Sequence, residues 1–176
     1  MKKFAWATSL CLVFAAGIAS AEGLALGASY GYANIDDSED GFSFDASDTG
    51  YKLFGNYTFR NGFGIEGGYI DFGEPDDDIL GQSAAIDASG WNLYGVGTLG
   101  LSDGFDLFAK AGVVSWEADS KLNGIRIDRD SGEDLALGIG ARFGSGTLAL
   151  RTEFEWFDIS DADAVWMASV GLEFRF

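Results

Sequence analysis

Five charged residues lie at alternating positions within largely apolar segments of this chain: Lys52, Glu66, Lys110, Arg151 and Glu153. In a β-strand, successive side chains point to opposite faces, so the alternation places these charges on one face and apolar side chains on the other. A charge on an enclosed face must be paired, because removing it from water is costly. We therefore predict a network of ion pairs among these five side chains. The same alternation turns four further charges to that face: Arg142, Glu155, Glu173 and Arg175.

The composition excludes the common catalytic centres. The chain has no histidine, which rules out a Ser-His-Asp triad, a histidine general base and a histidine-supported metal centre. The GxGxxG spacing of Gly95, Gly97 and Gly100 lacks the helix that a dinucleotide site requires. We expect no enzymatic activity and no cofactor.

The N-terminus has the pattern of a secretory signal peptide. A basic Lys2-Lys3 start precedes an apolar run over residues 4–18, and Ala19-Ser20-Ala21 provides a small-residue cleavage site. We assign residues 1–21 to the signal peptide and residues 22–176 to one mature domain. Removing the two lysines of the basic start leaves nine basic and 28 acidic residues, a net charge of −19. This charge argues against nucleic acid as a partner, because phosphate binding requires Lys and Arg.

The mature sequence repeats an alternating segment of about ten residues followed by a turn, which is typical of a membrane β-barrel. Eight strands are predicted: Leu24–Ala33, Tyr51–Arg60, Phe63–Phe72, Trp91–Leu99, Asp106–Trp116, Leu135–Phe143, Thr147–Asp158 and Val165–Phe176. An even strand number brings both termini to the same side. The pattern therefore predicts an all-β fold, a closed eight-stranded antiparallel up-and-down transmembrane β-barrel.

The predicted connections alternate between short and long. The short ones are residues 60–62, 100–104 and 144–146, and the long ones are residues 34–50, 73–90, 117–134 and the shorter 159–164. Membrane barrels have short periplasmic turns and longer extracellular loops, so both termini should be periplasmic. Four tryptophans are expected in aromatic girdles at the two membrane interfaces: Trp91, Trp116, Trp156 and Trp166.

Three segments carry a family resemblance. YKLFGNYTFRNGFGIEGGYIDFG (51–73), DGFDLFAKAGVVSWEAD (103–119) and ALRTEFEWFDI (149–159) resemble the second and third, the fifth and the seventh strands of OmpA-like barrels. The resemblance covers most of the mature chain. It implies an outer-membrane barrel of a Gram-negative bacterium, surrounded by lipid and lipopolysaccharide and inserted by the outer-membrane assembly machinery. The sequence stops at the barrel, so we expect no peptidoglycan-binding role.

The resemblance also bears on the charged residues. Glu66, Arg151 and Glu153 match family positions that form an interior salt-bridge network. The family's gate uses a lysine on the fourth strand, where this chain has Val96 and Thr98. Lys110 or Lys52 is the candidate substitute. Two interpretations remain open: a gate that opens when charges exchange partners, and a static polar core that stabilises the barrel.

The predicted long loops are strongly acidic and, with Asp158 at the edge of the last one, hold 20 of the 28 acidic residues. Carboxylates suit hard cations such as Ca²⁺, and Asp36-x-Ser38-x-Asp40-Gly41 resembles half of a calcium loop. Ser47 stands where such a loop needs Glu, so no specific metal site is assigned. The acidic rim should instead resist aggregation and bridge weakly to lipopolysaccharide through divalent cations.

These features predict an outer-membrane barrel with a role in envelope integrity and in surface interactions through its acidic loops, whose partner the sequence does not identify. The alternative is a narrow, porin-like passive channel for ions or small solutes. A carrier of hydrophobic ligands is a third hypothesis.

The last strand also resembles the assembly signal of outer-membrane barrels, because apolar residues occupy every second position up to a terminal Phe176. Deleting Phe176, or replacing it with Asp, should reduce insertion, because the terminal strand must be recognised and must close the barrel. The measurement is the amount of heat-modifiable, folded protein in outer-membrane fractions. Folded protein at the native level in both variants would contradict the assignment of Phe176 as an assembly signal.

Overall fold

The computed structural model describes residues 23–39, 42–79, 82–122, 125–159, 162 and 164–176. The predicted signal peptide lies outside these residues. The described part of the chain contains nine β-strands: β1 (Leu24–Glu39), β2 (Phe42–Thr58), β3 (Phe63–Asp71), β4 (Asp76–Ile79), β5 (Gln82–Ser102), β6 (Phe105–Leu122), β7 (Ile125–Phe143), β8 (Leu148–Asp158) and β9 (Ala164–Arg175). It contains no helix long and apolar enough to cross a membrane.

Eight of these strands close into a ring. Each pairs antiparallel with its neighbour, β3 pairs directly with β5, and β9 returns to pair with β1 from Ala25↔Arg175 to Asp36↔Ala164. The backbone N–H of Phe176 donates to the carbonyl of Leu24 (3.0 Å), so the end of β9 lies beside the start of β1. The remaining strand, β4, is short and forms a hairpin with the start of β5. The predicted closed eight-stranded barrel is therefore confirmed.

The predicted long loops are wrong for three of the four connections. Residues 34–50, 73–90 and 117–134 were expected as loops, but most of them extend the strands as two-stranded hairpins. The longest ladder joins β6 to β7 and continues to Leu122↔Ile125. These segments are rich in Asp, Ser and Gly, which are depleted in strands, but hydrogen bonding to an adjacent strand overrides that weak local preference. In the shorter connection 159–164, the described residues Ile159 and Ala162 lie outside the strands, as predicted, and Ala164 begins β9.

The outer surface of the ring is an apolar band between two aromatic belts. One belt includes Tyr51, Tyr69 and Trp91, whose rings lie 6.2 and 5.3 Å apart in sequence order. The other includes Phe105 stacked on Phe143. On the last strand, the outward-facing Trp166 and Phe176 are ten residues apart, a rise of about 33 Å along the strand that a tilt near 40° reduces to about 25 Å. This height matches the apolar band of outer-membrane barrels.

Trp116 corrects one sequence prediction. It was expected in an interfacial girdle, but its side chain is buried inside the barrel and its indole Nε1 donates to Asp134 (2.7 Å). The flat face of the indole lies against Gly132, where any Cβ would approach the ring to 3.0–3.1 Å. A glycine on the facing strand therefore lets the bulky ring point inward. Trp91, in contrast, is exposed on the outer face as predicted.

The fold makes a specific prediction about sidedness. Ser131 lies on an extended hairpin and Ser145 in a short turn at the opposite end of the barrel, and both are exposed. In a parent protein with Cys11→Ser, Ser131→Cys should react with a membrane-impermeant maleimide on intact cells, and Ser145→Cys should react only after the outer membrane is permeabilised. Labelling of Ser145→Cys but not Ser131→Cys on intact cells would reverse the topology.

Candidate functional site: a closed charge network in the lumen

The structure brings all five of the sequence-predicted residues together inside the barrel. Lys52 comes from β2, Glu66 from β3, Lys110 from β6, and Arg151 and Glu153 from β8. Their side chains are almost inaccessible to solvent, and those of Lys52, Glu66 and Lys110 are completely so. Alternation explains the placement, since each residue is flanked along its strand by side chains on the outer face.

The two lysines share the same carboxylates. Lys52 Nζ lies 2.6 Å from Glu153 Oε1 and 2.8 Å from Glu155 Oε2. Lys110 Nζ lies 3.0 Å from Glu66 Oε1 and 2.6 Å from Glu155 Oε1, and it also contacts Glu153. Each ammonium group therefore has more than one carboxylate within hydrogen-bonding distance.

The guanidinium of Arg151 binds two of the same carboxylates, those of Glu66 and Glu153. Nη1 and Nη2 lie 2.7 and 3.0 Å from the two oxygens of Glu66, and Nε donates to Glu153 Oε2 (2.8 Å). The same group lies between the rings of Phe54 and Phe108, with centroid distances of 4.2 and 4.4 Å. Cation–π contacts of this kind add to the ion pairs when water is excluded. Arg151 is thus held between two aromatic faces and paired with the carboxylates of Glu66 and Glu153, in addition to the Glu173 contact described below.

Two members of the network were absent from the predicted set of five. Glu155 was turned toward the same face by alternation, but its role as the carboxylate shared by Lys52 and Lys110 required the strand register. Tyr94 comes from β5, the fourth strand of the ring, and its hydroxyl donates to Glu155 Oε1 (3.0 Å). Tyr94 stands two residues before Val96, on the same face of its strand. A buried tyrosine needs a partner for its hydroxyl, which was the available signal.

Gly138 makes room for this arrangement. A Cβ at this position of β7 would lie 2.6 Å from Lys110 Cε and 3.3 Å from Glu155 Cγ. Because Gly138 has no side chain, the aliphatic stem of Lys110 can lie against the inner face of β7. A substitution here would push Lys110 away from its carboxylates.

A second charged layer lies toward the short turns. Arg142 Nε donates to Glu173 Oε2 (3.0 Å), and Nη1 donates to the hydroxyl of Thr98 (3.2 Å). Glu173 also accepts from Arg151 Nη1 (3.2 Å) and Arg175 Nε (3.0 Å), which connects the two layers. Thr98, one of the two residues at the position of the family's lysine, thus contacts this second layer.

An apolar layer closes the lumen on the side of the long hairpins. Its members are almost fully buried: Ile70, Phe72, Val114, Phe157 and Met167. The rings of Phe72 and Phe157 meet edge to face with centroids 5.1 Å apart. A water molecule that enters from the hairpin side therefore meets this layer before it reaches the charges.

The central network has no net formal charge and excludes water from the lumen. Three cations (Lys52, Lys110 and Arg151) face three carboxylates (Glu66, Glu153 and Glu155), so the formal charges of the central network cancel. The described residues contain no group of three or more potential ligands that could hold a metal ion. Asp40 and Gly41 of the calcium-like motif lie outside those residues.

The extended hairpins have their own ion pairs. Lys121 Nζ donates to Glu74 (2.9 Å) and Asp87 (3.1 Å), and these bonds raise the pKa of Lys121. The carboxylate of Asp48 accepts from the backbone N–H groups of Glu74 (2.9 Å) and Thr49 (2.7 Å), which lowers the pKa of Asp48. These bonds connect hairpins that are adjacent in space but distant in sequence.

The lumen contacts predict strong coupling between Arg151 and Glu66. Arg151→Ala should lower the free energy of unfolding by about 3–5 kcal/mol, because it leaves buried carboxylates without their partner. Adding Glu66→Gln should recover part of that loss, since it removes one orphaned charge. Urea unfolding in lipid or detergent measures both effects.

A matched control lies on the exposed hairpin, where Arg126 Nη2 pairs with Asp119 (2.9 Å). Arg126→Ala should cost no more than about 1 kcal/mol, because Arg126 is exposed and Asp119 keeps Arg129 as a second partner. Strict additivity of Arg151→Ala and Glu66→Gln would contradict the coupling.

Comparison with known proteins agrees with this geometry. The family model of the OmpA-like transmembrane domain matches residues 19–176. Outer membrane protein P5 of Haemophilus influenzae is 32% identical over 121 residues, which cover 60% of this chain and 34% of that protein. The chain thus spans about a third of the length of this curated relative.

Solved structures support the fold alone, because their sequence identities are low. Neisserial surface protein A superimposes with a TM-score of 0.72 at 12% identity, covering 89% of this chain and 99% of that one. Ail, the attachment invasion locus protein of Yersinia pestis, gives a TM-score of 0.59 at 21% identity, covering 88% and 99%, in a complex with the heparin analogue sucrose octasulfate. Together with the closed ring and the apolar outer band, the family match shows that this chain is an outer-membrane β-barrel of the OmpA-like transmembrane domain family.

Proposed function

We propose that the protein is a structural element of the outer membrane whose extended hairpins interact with molecules at the cell surface. The observation that carries this proposal is the closed lumen: the central charges are paired, inaccessible to solvent and covered by an apolar layer. Such a barrel should resist unfolding, and it should block the passage of ions and solutes through its lumen. Its function then depends on its anchorage in the membrane and on its exposed surface, without catalysis.

The acidic hairpins define the chemistry of a surface partner. Glu117 and Asp119 lie on β6, and Asp128 and Asp130 lie opposite on β7. Some of this charge is balanced by Arg126 and Arg129, but acidic residues predominate. We expect cationic partners, including divalent ions that bridge the rim to lipopolysaccharide phosphates. A polyanion such as the octasulfate bound to Ail should be repelled by this rim.

Three parts of the proposal concern maturation. Residues 1–21 act as a signal peptide, residues 22–176 form the mature domain, and Phe176 serves as the signal for the outer-membrane assembly machinery. The pairing of β9 with β1 supports the last part, because the strand that ends at Phe176 is also the one that closes the ring.

A narrow, gated channel is the second candidate, and one observation favours it. Glu155 contacts both Lys52 and Lys110, and Glu66 contacts both Lys110 and Arg151. A lysine can therefore exchange one carboxylate for another with a small displacement. Brief openings would follow if such an exchange moved side chains out of the cross-section.

Planar bilayer recordings distinguish the two candidates. The structural proposal expects no stepwise conductance from the native protein under a steady voltage, because the closed network is its stable state. Lys110→Met removes a shared cation and should raise the frequency of openings only if the network acts as a gate. Regular openings of the native protein would overturn the structural proposal in favour of the channel.

Envelope integrity provides the matching cellular test. A deletion strain of the native bacterium should release periplasmic enzymes and become sensitive to detergent, and the native chain should restore resistance.

A variant with the hairpin carboxylates Glu117, Asp119, Asp128 and Asp130 replaced by their amides should anchor normally but bind less Mg²⁺ at the cell surface. An unchanged deletion strain would contradict the structural role.

A further inference from the structure

The hairpin end of the lumen contains a cavity that neither the charge network nor the membrane-facing surface uses. Its volume is about 160 Å³. The lining is mainly apolar, and its largest members are Ile35, Phe72, Ile86, Trp116, Ile159 and Val165. Ser120 and Asp130 are the polar residues of its lining. The cavity is therefore an apolar chamber with a few polar groups, which is the usual composition of a small-molecule site.

The chamber has a closed floor. Phe72 packs edge to face on Phe157, and Val114 and Met167 fill the neighbouring space, all almost fully buried. The charge network lies below this layer, with Glu155 two residues from Phe157, Lys110 four from Val114 and Glu66 six from Phe72. A molecule that enters from outside therefore meets this floor before it reaches the charges.

Trp116 gives the chamber a rigid wall. Its indole is fixed by the hydrogen bond from Nε1 to Asp134 (2.7 Å) and by its contact with Gly132. The bond satisfies the one polar group of the indole, which leaves the apolar ring available to a ligand. An aromatic wall held in one orientation favours a flat ligand that can stack or meet it edge to face.

We propose that this chamber is a binding site for a small apolar molecule about the size of one aromatic ring. Apolar cavities of about 150 Å³ in proteins stay dry and bind benzene, because water finds too few polar partners there. The chamber has this size and is mainly apolar, with Ser120 and Asp130 as its polar members, and it lies at the hairpin end of the barrel. The inference goes beyond the proposed structural role and does not depend on it.

Toluene provides a direct probe in ¹⁵N-labelled protein in lipid nanodiscs. The indole N–H resonance of Trp116, assigned by its loss in Trp116→Phe, should shift and saturate as toluene is added. Trp91 lies on the lipid-facing surface and reports the toluene that dissolves in the bilayer. Its resonance should shift without saturation.

Two matched variants test the location. Ala118 lines the chamber, and Ala118→Phe should fill it and abolish the saturable shift of Trp116. Ala109 is exposed on the outer face, and Ala109→Phe should leave that shift unchanged. Heat-modifiable migration establishes that each variant is folded, and Ala88→Leu replaces Ala118→Phe if the latter does not fold. A Trp116 shift that does not saturate, or one that survives filling of the chamber, would overturn the proposal.

Discussion

The requirement that a charge removed from water must have a partner underlies the structure of this barrel. An eight-stranded ring is only wide enough for side chains to fill it. Charges placed on its inner face have no water to solvate them, so each must find an opposite charge across the lumen. The shared carboxylates of Glu66, Glu153 and Glu155 meet this requirement for Lys52, Lys110 and Arg151. Backbone polar groups also need partners away from water. The pairing of β9 with β1 provides them, since lipid does not tolerate a free strand edge.

The lumen is layered, and each layer follows from the one beside it. At the level of the central charges, the guanidinium of Arg151 lies between the rings of Phe54 and Phe108. Ile70, Val114 and Met167 lie above them and keep out water from the hairpin side. The exclusion of water strengthens the ion pairs. Because every charge in the central network has a partner, none of them needs water for solvation. The apolar chamber at the hairpin end exists because the floor beneath it is already closed.

Much of this architecture could be predicted from the sequence because it depends on a period of two. Alternation was sufficient to turn Glu66 and Arg151 inward and to place Trp91 on the outer face. Alternation also turns Trp116 inward, because it lies six residues from Lys110 on β6 and so shares its face. Trp116 was assigned outward because tryptophan is common at membrane interfaces, and the glycine that accommodates it lies on another strand. The acidic hairpins were expected as loops because their pairing depends on a neighbouring strand, which local composition does not report.

The central claim is that paired charges close the lumen and leave no path for water. A crystal structure of the native protein, at a resolution that reveals ordered water, tests it most directly. We expect Lys110 Nζ within hydrogen-bonding distance of Glu66 and Glu155, with no ordered water between the apolar layer and the rings of Phe54 and Phe108. A continuous file of water molecules through the level of Glu66 would contradict it.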